Sequence, residues 1–94
     1  MVIGVCTLEL NIPMASSLKN KRQVVKSVIS KLRNEFNVSV AEVDNLDSWQ
    51  TAVIAAVTVS SDRDYAHTLM TRVALWVDNN RLDCYLVDYE IELI

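Results

Sequence analysis

Glycine and proline are almost absent from this sequence, with one of each among 94 residues. A chain so poor in both lacks the composition of a flexible linker, a low-complexity segment or a disordered tail. A single glycine also excludes the glycine-rich loops that hold phosphates in P-loop and dinucleotide-binding proteins. Because 51% of the residues are hydrophobic, we expect one folded domain over residues 1–94 with its own core.

Cysteine and histidine are also scarce. Cys6 and Cys84 lie far apart, with neither a CxxC pair nor clustered histidine, which favours two buried thiols over zinc ligands or a disulfide framework. His67, the single histidine, has no nucleophile motif near it. We therefore expect no catalytic residues, no metal site, no cofactor and no enzyme activity. No apolar run is long enough to span a membrane and no signal peptide opens the chain, so the expected location is cytoplasmic.

Negative charge is missing from one long segment, since no acidic residue lies between Glu9 and Glu35. Residues 16–33, SSLKNKRQVVKSVISKLR, fill most of that gap and are rich in lysine and arginine. The whole chain nevertheless has a formal charge of -3. Any affinity for phosphate or nucleic acid must therefore come from this local patch.

Apolar periodicity predicts six elements in the order strand, helix, strand, strand, helix, strand. The predicted strands cover residues 2–12, 38–43, 49–59 and 82–94, and the first helix covers residues 18–34 after Ser17 as its N-cap. The second helix opens with Ser61 as N-cap and closes at Asn79 and Asn80 in left-handed geometry. In the last strand, the odd positions from Tyr85 to Leu93 are predicted to share one face.

This order of elements is the split βαβ, ferredoxin-like plan of the α+β class. It predicts a four-stranded antiparallel sheet with the first and third strands in the centre. Both helices lie on one sheet face, because each helix has a single apolar stripe to bury.

The opposite sheet face is predicted to expose an apolar patch. If the odd positions of the first strand and the even positions of the third point outward, the patch contains Ile3, Val5 and Ile54. The acidic residues predicted around it are Glu9, Glu42, Glu90 and Glu92. Such a face suits a homodimer or a docked protein, although small apolar residues can also remain exposed.

The first helix carries the other candidate site. Lysine and arginine in its first turns oppose the helix dipole, so they are either tolerated or placed there for an anion. The candidate anion- or RNA-binding residues are Lys19, Lys21, Arg22, Lys26 and Arg33. Their alternative interpretation is an ordinary solvated face of a lysine-rich helix.

Three classes of function remain open from the residues. The first is a non-catalytic module that docks on structured RNA or a ribonucleoprotein through the first helix, reading shape and backbone. Base stacking on the sheet, as in RNA-recognition motifs, is disfavoured because the central strands lack the aromatics and the face is acidic. The second class is self-association or protein docking through the sheet. The third is an enzyme or small-anion binder at the start of the first helix.

Two segments carry a resemblance to a known family. SLKNKR (residues 17–22) and FNVSVAEVD (residues 36–44), followed by WQTAVIAAVTVSSD, resemble the YlxP-like family of small bacterial proteins of unknown function, over essentially the whole chain. The resemblance implies a ferredoxin-like fold and a bacterial cytoplasmic protein often encoded near translation and ribosome-maturation factors. It supplies no catalytic residues, and it favours an RNA or ribosome context.

Overall fold

The computed structural model describes residues 1–80 and 83–94. Its elements follow the predicted order, with strands and helices at these positions: β1 (Val2–Asn11), α1 (Leu18–Glu35), β2 (Ser39–Asp44), β3 (Thr51–Ser60), α2 (Arg63–Asn80) and β4 (Tyr85–Leu93). The four strands form one antiparallel sheet in the order β2-β3-β1-β4. The ferredoxin-like plan, with β1 and β3 central, is therefore confirmed.

The core lies between one face of this sheet and both helices. The even positions of β1 and β3 point into it, and Cys6, Leu8 and Ile54 are fully buried there. Val28 and Leu32 of α1 and Met70 and Val73 of α2 fill the same cluster. Both helical stripes thus pack on one side of the sheet, as the single apolar face of each helix requires.

The predicted orientation of the third strand is wrong. Ile54 pairs with Leu8 and is buried under the helices, so it does not lie on the open face. Val53, Ala55, Val57 and Val59 occupy that face instead. Both faces of β3 are apolar, so alternation alone could not decide which of them meets the helices.

Glu42 also lies on the other side from its predicted place. It pairs with Ile54 across β2 and β3, and therefore points toward the helix layer instead of the open face. A bulge between Glu42 and Asp44 then shifts the register of β2. The strand ends one residue later than predicted, because the turn begins at Asn45, which has a positive φ of 58°.

The remaining elements differ from expectation in detail. β3 begins at Thr51 instead of residue 49, and β4 begins at Tyr85, while Leu82 lies outside the described residues. A register shift opposite Glu9 and Leu10 leaves Val87 unpaired, so Tyr85 does not share the face of Tyr89, Ile91 and Leu93. The predicted single face of the last strand is thus divided by a bulge, which adds one residue and reverses the alternation.

Capping is confirmed for α1 and corrected for α2. Ser17 accepts a hydrogen bond from the Asn20 backbone N–H at 3.1 Å, as an N-cap does. In α2 the cap is Asp62 instead of Ser61, because Asp62 Oδ1 accepts from the N–H groups of Asp64 and Tyr65. Asn79 and Asn80 belong to the helix and have no positive φ.

Candidate nucleic-acid interface

Four of the five predicted cations lie exposed on one side of α1: Lys19, Arg22, Lys26 and Arg33. At about 100° per residue they fall within an arc of about 60°, next to the apolar stripe that faces the core. Val25, Val28 and Leu32 of the apolar stripe are buried against the sheet, and the neighbouring basic side faces solvent.

Lys21 does not belong to this surface. Its side chain is fully buried, and its Nζ lies 2.7 Å from Glu42 Oε2. Nζ also donates to the backbone oxygen of Asn45 at 2.7 Å, and it lies 3.4 Å from that of Leu46. The prediction that Lys21 contacts a ligand is therefore wrong. The residue instead joins the start of α1 to the turn that connects β2 and β3.

The position of Lys21 in the helical repeat already indicates that this residue is buried. Lys21 precedes Val25 by four residues and Val28 by seven, so it lies in the apolar stripe and not beside it. A cation in such a stripe is buried, and a buried cation needs an acidic partner. Glu42 is that partner because it shares the inward face of β2 with Val40.

A groove of about 590 Å³ runs between α1 and the edge strand β2. Its polar lining consists of Arg22, Lys26, Ser30, Arg33, Asn34 and Glu42, and Val25 and Ile29 contribute apolar surface. We call this the basic groove. It brings together three of the predicted cations, whereas Lys19 lies outside it, one turn before Arg22 along the helix.

The charge of the basic groove is largely uncompensated. Within residues 1–80 and 83–94, the one ion pair is that of Lys21 with Glu42. Buried Lys21 therefore neutralises the charge of Glu42. Arg22 and Lys26 have no carboxylate partner in this part of the chain. Arg33 donates from Nη2 to the backbone oxygen of Val40 at 3.1 Å, which holds its guanidinium at the groove wall. The groove thus presents a net positive surface.

The face of the sheet opposite the helices is the second candidate interface, which we call the outer sheet face. Ile3 and Val5, two of the predicted interface residues, lie on it. Its apolar residues on the central strands are Ile3, Val5, Val53, Ala55, Val57 and Val59. Its carboxylates lie at one side and one end: Glu9, Asp44, Asp88, Glu90 and Glu92. In the described part of the chain, no helix covers this face.

A second groove, of about 710 Å³, lies on the other side of α1. Met14, Val24 and Tyr85 contribute to it, together with the amides of Asn20 and Gln23. Cys84 also lines it, and burial, with a smaller contribution from Asp83, raises the pKa of this thiol. Cys84 and Cys6 are both buried and unpaired, as expected from their spacing.

Metal and membrane features were sought in the same residues. Across the described ranges, no three His, Cys, Asp or Glu side chains come together in a group that could hold a metal ion. None of the described helices combines the length and the apolar character needed to cross a membrane.

Comparison with solved structures supports the class of fold. The de novo designed protein Foldit4 aligns over 100% of this chain and 97% of its own, with a TM-score of 0.54 and 12% identity. A second designed protein, described as having a ferredoxin fold, aligns over 100% of this chain and 83% of its own, with a TM-score of 0.49 and 12% identity. The first likeness, together with the strand order, defines a small ferredoxin-like α+β protein.

Sequence comparison then places the chain in a family. Residues 3–91 match the family described as "Protein of unknown function (DUF503)". The uncharacterized protein YlxP of Bacillus subtilis (strain 168) is 36% identical over 78 residues, which are 83% of this chain and 85% of that protein. The chain belongs to this YlxP-like, DUF503 family of unknown function.

Proposed function

We propose that this protein is a non-catalytic binding module that holds structured RNA, alone or in a ribosomal particle, against the basic groove. Arg22, Lys26 and Arg33 would contact phosphates there, and Lys19 would extend the contact at the start of α1. The expected compartment is the cytoplasm.

The observation that carries this proposal is the unpaired state of the groove cations in the described residues. Lysine and arginine at a protein surface are commonly balanced by nearby carboxylates, whereas here the one carboxylate in the groove is taken by buried Lys21. A concave surface with uncompensated positive charge attracts polyanions despite the negative total charge of the chain.

The dimensions of the groove fit a phosphate backbone. Arg22 and Arg33 are eleven residues apart on one helix, which corresponds to about 16 Å at about 1.5 Å per residue. Three cations along that length can each meet a different phosphate. Contacts of this kind give salt-dependent affinity with little sequence preference.

RNA does not suit the outer sheet face. Glu9, Asp88, Glu90 and Glu92 lie along that face, and their charge would repel phosphates. The basic groove and the outer sheet face are therefore separate surfaces with opposite charge, and they fit different partners.

The test is a titration with a structured RNA at about 50 and 200 mM salt. We expect the affinity of the wild type to fall as salt rises. The double variant Arg22→Gln/Lys26→Gln should bind more weakly and lose about two units of the slope of log affinity against log salt. Arg33 is left unchanged because its contact with Val40 also supports β2.

Lys31→Gln is the matched control, because Lys31 is an exposed cation of the same helix outside the groove. It should retain the affinity of the wild type at each salt concentration. A loss in the control of about half that of the double variant would show that only total charge matters, because the control removes one charge and the double variant removes two. Absence of binding by the wild type at low salt would refute the proposal.

The outer sheet face supports a second candidate function, which is self-association. Six apolar side chains lie together on one face that no described helix covers, and a contiguous apolar patch of this kind is typical of a protein contact surface. Sedimentation of the wild type should show a dimer at high concentration, and Val57→Lys should dissociate it. Leu75→Lys, an exposed leucine on α2, is the control and should leave the dimer intact. A wild type that stays monomeric would refute this candidate.

A further inference from the structure

The side chains of the outer sheet face lie in rows that run across the four strands. Pairing gives one row of Glu92, Val5, Val57 and Ser39, from β4 to β2. The next row contains Glu90, Thr7, Ala55 and Ala41. In both of these rows, a carboxylate lies at the β4 end and a small uncharged side chain lies at the β2 end.

We propose that a second copy of this chain packs on the outer sheet face, about a two-fold axis parallel to the strands, so that β4 of each copy lies over β2 of the other. The proposal rests on the self-association suggested above and specifies its geometry. A rotation about such an axis leaves each row at the same position along the strands. It reverses the order of the strands, so that the β4 end of a row lies over the β2 end of the same row in the other copy. Val5 then lies over Val57 of the second copy, and Ile3 lies over Val59.

Charge selects this axis over the other two-fold arrangement of stacked sheets. In the proposed dimer, Glu92 faces Ser39 of the second copy and Glu90 faces Ala41. An axis perpendicular to the strands would place β4 over β4, and with full overlap it would bring Glu90 against Glu90 at the centre of the face and Glu92 against Asp88 on either side of it. Like charges held together at an interface oppose association.

One end of the face remains acidic in the proposed dimer. The row of Asp88, Glu9, Val53 and Asp44 would lie over the same row of the second copy. Carboxylates meet there, so this end should stay hydrated while the rows around Val5 and Val57 make dry contact. Salt should therefore strengthen the dimer by screening that repulsion, whereas it should weaken RNA binding.

The available area is enough for a weak specific dimer. The strands β1 and β3 have 10 residues each, β4 has 9 and β2 has 6, and at about 3.3 Å per residue and about 4.8 Å between strands they give a face of about 550 Å². Two copies would bury about 1,100 Å² in total, which lies just below the standard range of interfaces and within that of weak complexes. Sheets with right-handed twist pack face to face at about 30°, so the rows would align best near the centre.

Cross-linking tests the arrangement. Ser39→Cys and Glu92→Cys are made as separate single variants, mixed, and treated with a short bis-maleimide. Packed sheets lie about 10 Å apart, which is too far for a disulfide. We expect a cross-linked heterodimer in the mixture and little product from either variant alone, because like positions would be about 14 Å apart across the sheet. Cys6 and Cys84 can remain, since both are buried.

The same variants carrying Val57→Lys serve as the control for chance collisions, and they should lose the cross-link. A separate variant, Glu90→Cys, would cross-link with itself in the β4-over-β4 arrangement, where Glu90 faces its own copy, and that product would overturn the proposed axis. A dimer with no cross-link in any mixture would also overturn it. Both results would leave self-association standing, whereas a monomer at high concentration would refute self-association and its geometry together.

Discussion

Lys21 Nζ and Glu42 Oε2 lie 2.7 Å apart and form a buried ion pair between α1 and β2. The pair connects the two segments that carry the family resemblance, since Lys21 belongs to SLKNKR and Glu42 belongs to FNVSVAEVD. It also decides the charge of the basic groove, because it neutralises Glu42, the one carboxylate that the described residues contribute to the groove lining.

Removing Lys21 should be costly. Lys21→Met leaves the Glu42 carboxylate largely buried without its partner and removes the contact with Asn45, so we expect a loss of about 3 kcal/mol in the free energy of unfolding. The double variant Lys21→Met/Glu42→Leu should recover much of this loss, because neither buried charge remains. Urea unfolding of the two single variants and the double variant measures the coupling. Simple addition of the single losses would contradict the pairing.

Gly4 should resist enlargement. A Cβ at this position would lie 3.1 Å from Met70 Cγ and 3.3 Å from Thr58 Cγ2, where α2 crosses β1 closely. Gly4→Val should therefore destabilise the protein by about 1 to 3 kcal/mol through overpacking. Gly4→Ala should cost less, since the flexible Met70 side chain can move. Thermal unfolding of both variants tests the order, and a stabilised valine variant would show that the contact is loose.

The cap of α2 provides a third prediction. Asp62→Ala should lower stability by about 1 kcal/mol, because the N–H groups of Asp64 and Tyr65 lose their acceptor. Ser61→Ala is the neighbouring control and should change little. Chemical unfolding compares the free energies of the two variants. A larger loss in the Ser61 variant would show that Ser61 is the N-cap, as the sequence predicted.

The thiol of Cys6 should make the free energy of unfolding fall at alkaline pH. Burial raises the pKa of its thiol from 9.0 to about 11. The native state thus holds this proton more tightly than the unfolded chain. The resulting stability is complete below about pH 9 and is lost as the pH rises toward 11. Unfolding of the wild type and of Cys6→Ala across this range should show the extra loss only in the wild type. A parallel decline in both would assign it to other groups.

The sequence by itself determined the class of fold and the general position of the basic helix surface. Period-two and period-3.6 patterns identify strands and helices, and their order leaves few ways to bury one stripe per helix. The even face of β1, the Ser17 cap and the exposed positions of Lys19, Arg22, Lys26 and Arg33 were all predictable, because each depends on spacing along the chain.

Only the tertiary structure decided which face of β3 meets the helices and which residue pairs with Lys21. Both faces of β3 are apolar, so alternation places Ile54 and Val53 on opposite sides without saying which side meets the helices. In the structure, Ile54 packs in the core and Val53 lies on the outer sheet face. In the same way, Lys21 could be recognised in the apolar stripe, but its partner lies 21 positions away along the chain, on a strand whose inward face is set by pairing with β3. Contacts between distant segments depend on register and bulges, which local spacing does not encode.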